Sequence, residues 1–309
     1  MYKHPLRIAR IVMTLKNRDQ HTESRCQQTI RRPVSFSGIG IHTGNKVTAA
    51  FSPAEEGTGI VFKRVDLTRK PTVPATLDYL CDTSRSTTIG VEDIRIHTVE
   101  HLLAAVHAFN IDNLCVEISS IEPPVGNGSS DIFVRMIEEA GIVKQQSKVS
   151  IVKLQDPVYW SEGDIHIVAL PYDGYRISYT LHYPESKVLK SQYYSVLVNR
   201  ENFKNEIAAC RTFSHYEEIS PLLDRGLIKG ASLDNAIIIK DEAIFSKDGL
   251  HFPDEMVKHK ILDVIGDLTL VGFPFHAHII SIRSGHKSNL EFAKQLQLTL
   301  KGENRSCLR

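Results

Sequence analysis

Two helix-like segments about 160 residues apart each present metal-ligand side chains, so a fold that uses both must bring them to one place. The first reads His97-Thr98-Val99-Glu100-His101-Leu102-Leu103-Ala104-Ala105-Val106. The second reads Val257-Lys258-His259-Lys260-Ile261-Leu262-Asp263-Val264-Ile265-Gly266-Asp267. In the second, His259 and Asp263 stand at i and i+4, so one helix face points an imidazole and a carboxylate the same way. In the first, His101 directly follows Glu100, which sets a third ligand beside a general base. Two His and one carboxylate with a Glu nearby meet the needs of a catalytic zinc site that keeps one position open.

Each segment alone has a plainer meaning. His-x-x-x-Asp also occurs as a solvated pair on an amphipathic helix, here with Ile261, Leu262, Val264 and Ile265 on the apolar side and Asp267 one turn further along the polar one. The first segment fits the H-x-x-E-H pattern of a family of zinc peptidases, with His97 and His101 as ligands and Glu100 activating water. Against that reading, Arg95-Ile96-His97 has the look of a strand end, and no downstream helix offers a matching carboxylate. Ser284-Gly285-His286 follows the last strand. A His after Gly is usually a turn residue, but with Asp267 to hold its tautomer His286 is a candidate general acid. His42, in Gly40-Ile41-His42-Thr43-Gly44, has a glycine frame for tight turns but lacks the Lys and spacing of a phosphate loop. His107 falls on the buried side of its helix and reads as structural.

The periodicities divide the chain into two similar α+β halves. In the first, strands are expected at 33–36, 47–51, 59–64 and 114–119, with a helix at about 98–109. In the second, strands are expected at 149–154, 165–170, 175–182 and 278–282, with a helix at about 254–271. The polar run Lys144-Gln145-Gln146-Ser147-Lys148 reads as the linker, which puts one α+β domain at 26–145 and the other at 146–309. Each is a sheet packed with helices in two layers, with the active site between them. Residues 70–96 and 210–240 break the common plan and read as small inserts. The apolar helix face of the second insert, with Leu222 and Leu223, usually means core but can also line a passage for a greasy substrate.

Bulk properties exclude several classes. A net charge of +1 gives no drive toward nucleic acid. Residues 1–32 carry eight Lys/Arg against Asp19 and Glu23. We read 1–25 as a basic, disordered leader, the other reading being a membrane-surface or targeting segment. Arg10 interrupts its short apolar stretch, so it is not a secretory signal. No window reaches the ~18 apolar residues of a membrane span. Five cysteines without a CxxC pair indicate neither a disulfide framework nor a cysteine zinc site, and fit a reducing cytoplasm.

Taken in order, the segments Gly38–Gly44, Thr98–Ala105, Asn113-Leu114, Arg211-Thr212-Phe213, His259–Asp263, Gly266–Leu268 and Ser284–His286 resemble the UDP-3-O-acyl-N-acetylglucosamine deacetylases, zinc hydrolases of lipid A and hence lipopolysaccharide biosynthesis. The likeness runs from about Thr29 to about Gln297. It implies removal of the N-acetyl group from an acylated UDP-sugar, releasing acetate. By the resemblance, His101, His259 and Asp263 bind Zn²⁺, or Fe²⁺, since the ligand set suits either. Glu100 is the general base on the water at the metal. His286, supported by Asp267, protonates the leaving amine. Thr212 donates to the oxyanion, Lys260 and Phe213 contact the substrate head, and Leu222, Leu223 and Leu227 become acyl-passage residues. The family pattern further implies a cytoplasmic monomer with at most transient contact at the inner membrane surface. Two departures stand out: Gly126-Asn127-Gly128-Ser129 replaces the family's usual Met-Asp-Gly-Ser, and Gly230-Ala231-Ser232 replaces Gly-Gly-Ser. The competing readings are the H-x-x-E-H peptidase and a relative that binds the acylated sugar nucleotide without turnover.

Overall fold

The structure, a computed structural model, describes residues 23–302. The first half contributes nine strands: β1 (Glu23–Ile30), β2 (Val34–Ile39), β3 (Lys46–Pro53), β4 (Ile60–Arg64), β5 (Thr72–Pro74), β6 (Leu80–Asp82), β7 (Thr88–Val91), β8 (Ile94–Ile96) and β9 (Leu114–Ile118). Its helices are α1 (Glu100–Ala108) and α2 (Asp131–Ala140). The second half contributes β10 (Ile142–Lys153), β11 (Val158–Glu162), β12 (Ile165–Leu170), β13 (Tyr175–Tyr183), β14 (Lys190–Leu197), β15 (Phe213–His215), β16 (Ile237–Lys240), β17 (Ala243–Phe245) and β18 (Phe275–Ile282). Its helices are the short α3 (Arg200–Asn202), then α4 (Tyr216–Asp224), α5 (Glu255–Thr269) and α6 (His286–Leu300).

Each half is built on one large sheet. The first has the order β2-β3-β9-β4-β5; in the second, β18 sits centrally, parallel to β10 and β13 and antiparallel to β12. Strand β18 alternates strictly: Phe275, Ala277, Ile279 and Ser281 are buried while their neighbours are half-buried, as a strand with one face on the core requires. Helix α1 is different. Leu102, Leu103, Ala104, Ala105 and Val106 are all fully buried, so it has no solvent face and lies inside the core. Burying Leu102 and Leu103 contributes about 1.5–3 kcal/mol each.

The most extensive helix–helix packing joins α1 to α5, one from each half. Gly266 makes this possible: a Cβ there would overlap the Glu100 carbonyl oxygen, so only glycine lets α5 lie against the first turn of α1. That contact sets Glu100 and His101 opposite His259, Asp263 and Asp267.

Two expectations need correcting. The polar run Lys144–Lys148 is not a loop linker: it lies within β10, where β1 pairs with it (Cys26↔Lys148, Gln28↔Lys144). Its backbone is satisfied by the ladder while most of its side chains face water, which is why a strand there reads as a linker. The boundary at 145/146 therefore falls inside a strand, and Glu23–Arg25, assigned to the leader, belong to β1. The rest of the proposed leader lies outside the described residues. The inserts also shift. In the first, β5 joins the main sheet by pairing with β4, leaving the β6-β7-β8 sheet as the insert. In the second, β15, α4, β16 and β17 run on to Phe245.

Candidate active site

Three ligand-type atoms from two helices converge. His101 starts α1, and His259 and Asp263 lie one turn apart on α5; their ligand atoms lie within 4.8 Å of one another and all three residues are buried. His101 Nε2 is 3.7 Å and His259 Nε2 3.4 Å from Asp263 Oδ1, both longer than a hydrogen bond. Asp263 Oδ1 is buried without a hydrogen-bond partner. A buried carboxylate oxygen with no donor costs free energy unless a cation meets it. The second Asp263 oxygen is bound by Lys260 Nζ at 3.0 Å. Burial alone would raise the Asp263 pKa, but His259 and Lys260 hold it well below the usual carboxylate range.

The His259 tautomer is fixed from behind. Its Nδ1–H donates to the Cys210 carbonyl at 3.0 Å, which leaves the Nε2 lone pair facing Asp263. Burial lowers its pKa to about 4, so the ring stays neutral and able to ligate. The Cys210 carbonyl is itself held: neighbouring Arg211 donates from its backbone N–H, Nε and Nη2 to Glu255, which is fully buried. This donor set of two imidazoles and one carboxylate fits a divalent zinc-type cation.

Glu100, the first residue of α1, is buried beside the triad, and burial raises its pKa. Its Oε2 accepts the Thr87 backbone N–H at 3.0 Å, and its Oε1 lies 3.8 Å from His286 Nε2. His286 opens α6, and its Nδ1–H donates to Asp267 Oδ2 at 2.9 Å. Burial would lower the His286 pKa, but the Asp267 and Glu100 carboxylates outweigh it and raise it to about 10. Asp267, fully buried, also accepts from Thr87 Oγ1 at 2.5 Å and from Asn289 Nδ2 at 2.8 Å. A carboxyl group and an imidazole, both with raised pKa values, thus flank the metal-type triad.

The remaining sequence candidates fall around this centre. Phe213 packs edge-on to His259 with ring centroids 6.3 Å apart, and Lys260 Nζ lies 5.4 Å from the Phe213 ring centroid. Thr212 is half-buried just before β15, where the chain enters the second insert, its N–H bonded to the Gly128 carbonyl at 2.9 Å. Leu222 on α4 is half-buried and Leu227 is exposed; Leu223 shares α4, but its side chain is not among the described ones. His97 is not brought in. It lies after β8, before Thr98 at φ 56°, and its Nδ1 pairs with Thr88 Oγ1 at 2.9 Å. The left-handed backbone at Thr98 is what turns His97 away from the face that carries His101, so the H-x-x-E-H reading fails on geometry. His42 is likewise apart, in a loop whose backbone N–H groups donate to the buried Glu122.

Asn127, which stands where the family pattern has an acid, acts as a local hydrogen-bond acceptor. Its Oδ1 accepts from the Ser129 N–H and Oγ at 3.2 and 2.7 Å, and Ser130 Oγ then donates to the His101 carbonyl at 2.6 Å. An amide oxygen serves as acceptor here as a carboxylate would. Thr87, Asn289, Glu255 and Glu122 were not singled out from sequence. Each is a common residue type in an unremarkable local pattern, and only the fold gives it a partner.

Comparison with known proteins agrees with this geometry. The family model for UDP-3-O-acyl N-acetylglycosamine deacetylase matches residues 27–298. A UDP-3-O-acyl-N-acetylglucosamine deacetylase of Chlamydia pneumoniae is 50% identical over 273 residues, 88% of this chain and 97% of the relative. Its counterpart in Chlamydia felis is 50% identical over 272 residues, with the same coverage. That of Chlamydia trachomatis serovar L2 is 44% identical over 279 residues, 90% of this chain and 97% of the relative.

Proposed function

This chain belongs to the UDP-3-O-acyl N-acetylglycosamine deacetylase family, and from that premise we propose how its residues hydrolyse the N-acetyl group of an acylated UDP-N-acetylglucosamine in lipid A biosynthesis. The observation that carries the reading is the orphaned, buried Oδ1 of Asp263 between two imidazoles, with a carboxylate base and an imidazolium acid beside it. His101, His259 and Asp263 would hold a divalent ion, Zn²⁺ or Fe²⁺, because two imidazoles and one carboxylate with an open position suit either. When bound, that ion supplies Lewis-acid chemistry, polarising the amide carbonyl and acidifying water.

The chain's own groups do the rest. Glu100 takes the proton as water adds to the acetyl carbonyl. Thr212 donates a hydrogen bond to the developing oxyanion. His286 Nε2 gives its proton to the sugar nitrogen as the C–N bond breaks, so the leaving group departs as a neutral amine rather than an amide anion. Asp267 keeps Nδ1 protonated and Nε2 aimed toward Glu100. Lys260 and Phe213 position the sugar head, and Leu222, Leu223 and Leu227 receive the acyl chain. The residues are drawn from both expected units, the one ending near 145 and the one running to 309. The enzyme works as a cytoplasmic monomer that meets the inner membrane surface only transiently; no helix among the described residues is long and apolar enough to cross a membrane.

The test is metal analysis of the purified protein together with an assay for acetate release from the acylated UDP-sugar. One equivalent of metal and metal-dependent release support the reading. Binding of the substrate without release would instead make the chain a non-catalytic relative.

A further inference from the structure

Thr87 is fully buried in the loop that leads into β7, 13 residues before Glu100 and 180 before Asp267. Its polar atoms reach both catalytic carboxylates. The backbone N–H donates to Glu100 Oε2 at 3.0 Å, and Oγ1 donates to Asp267 Oδ1 at 2.5 Å. The two carboxylates come from different halves of the molecule, and among the described hydrogen bonds Thr87 is the one residue that joins them. Its Oγ1 also lies 3.4 Å from His286 Nδ1. A hydroxyl carries one proton and two lone pairs. With that proton on Asp267, an oxygen lone pair faces the Nδ1–H of His286, which Asp267 Oδ2 already accepts at 2.9 Å.

We propose that Thr87 is a positioning residue that sets the acid against the base. Its hydroxyl fixes the rotation of the Asp267 carboxylate, and Asp267 in turn holds the His286 ring with Nε2 toward Glu100. Its backbone N–H fixes Glu100 from the other side. The circuit Glu100–Thr87–Asp267–His286 closes on itself across the junction of the two halves. The proposal rests on the roles given above to Glu100, His286 and Asp267. Thr87 touches no reacting atom in that scheme; it acts through Asp267, so its effect must vanish when Asp267 can no longer hold the ring. The geometry separates its two functions, because Thr87→Val deletes the hydroxyl and keeps the N–H on Glu100.

The experiment measures kcat, KM and metal content for Thr87→Val, Thr87→Ser, Asp267→Asn and the Thr87→Val/Asp267→Asn double variant, on the acylated UDP-N-acetylglucosamine. Removing an outer partner of this kind typically costs about 10–100-fold. Thr87→Val should lose that in kcat with KM changed less than about twofold and metal content full, the pattern of an interaction made in the transition state. Thr87→Ser should recover most of the rate. In the Asp267→Asn background the same substitution should cost less than about threefold, since groups acting as one unit are non-additive. If Thr87→Val does not fold, Thr87→Ala is read the same way. Near-normal kcat in the hydroxyl-free variant, with Asp267→Asn impaired, overturns the role of Thr87 and leaves that of Asp267 standing. Fully multiplicative losses in the double variant do the same. A silent Asp267→Asn overturns both at once.

Discussion

Among the described residues, two clusters of His and carboxylate side chains bring their ligand atoms within 4.8 Å of one another, and they differ in almost everything else. His101, His259 and Asp263 are buried; Glu23 and Asp173 are exposed and His276 only half-buried. Both clusters contain a lysine. In the exposed one, Lys153 Nζ sits 2.6 Å from Asp173 Oδ1 and 3.5 Å from Glu23 Oε2, and both carboxylates face water, while His276 Nδ1 is buried without a hydrogen-bond partner. In the buried one, Lys260 satisfies one Asp263 oxygen and leaves the other without a donor. Proximity of ligands is therefore not enough. A metal site needs a desolvated anionic donor that nothing in the protein has answered. Of the two clusters only the first has a buried, unpartnered carboxylate oxygen, whereas the unpartnered atom of the second is an imidazole nitrogen beside two exposed carboxylates.

The substitutions that most directly try this contrast are His259→Ala and Asp263→Ala. Each should empty the site and abolish turnover, measured by metal stoichiometry and acetate release, while His97→Ala keeps both. A metal-free His97 variant beside a metal-replete His259 variant would transfer the site to the H-x-x-E-H set. Next in size is Glu100→Ala, which removes a base and not a ligand. It should retain metal and lose about 10²–10⁴-fold in kcat; near-normal kcat would exclude Glu100 as the base.

Asp267→Asn has a smaller but more specific effect. Burial opposes the charge on His286, and Asp267 is the largest cause that raises its pKa to about 10. A raised value means that the imidazolium persists through neutral pH and is lost as pH climbs toward that value. Removing the Asp267 charge should move the basic limb of the kcat/KM profile to lower pH and reduce the rate, with metal content unchanged. A basic limb that stays in place would show that Asp267 does not tune the acid. The smallest expected effect is that of His276→Ala: if the exposed cluster is only a solvated ion-pair group, metal stoichiometry and kcat stay at wild-type values. Loss of an equivalent of metal there would erase the contrast between the two clusters.

Much of the site was legible because the chemistry sits on a helix at i and i+4. His259 and Asp263 share a face once their segment is helical, and Glu100 next to His101 sets a candidate base one residue from a candidate ligand. What joins the two helices was not legible. Gly266 reads as a weak point in a helix until α1 is laid against it, and Thr87 reads as one of several Ser and Thr in a loop. The linker reading failed at Lys144–Lys148 for a related reason. A strand that shows most of its side chains to water has no hydrophobic alternation to betray it, and its partner β1 lies about 120 residues earlier. The H-x-x-E-H pattern misled because spacing alone does not report the backbone turn at Thr98.

The position of β18 has a consequence for how the protein is made. The strand that occupies the middle of the second sheet is the last of all the strands to leave the ribosome, and α6, which carries His286, follows it. Until then β10, β12 and β13 have been synthesised around a gap that no earlier segment fills. The nascent chain thus holds three strands each with an unpaired edge from the end of β13 at Tyr183 until β18 begins at Phe275, the condition in which sheets are open to wrong partners. Catalytic competence and closure of that sheet then arrive together, in the final stretch of synthesis.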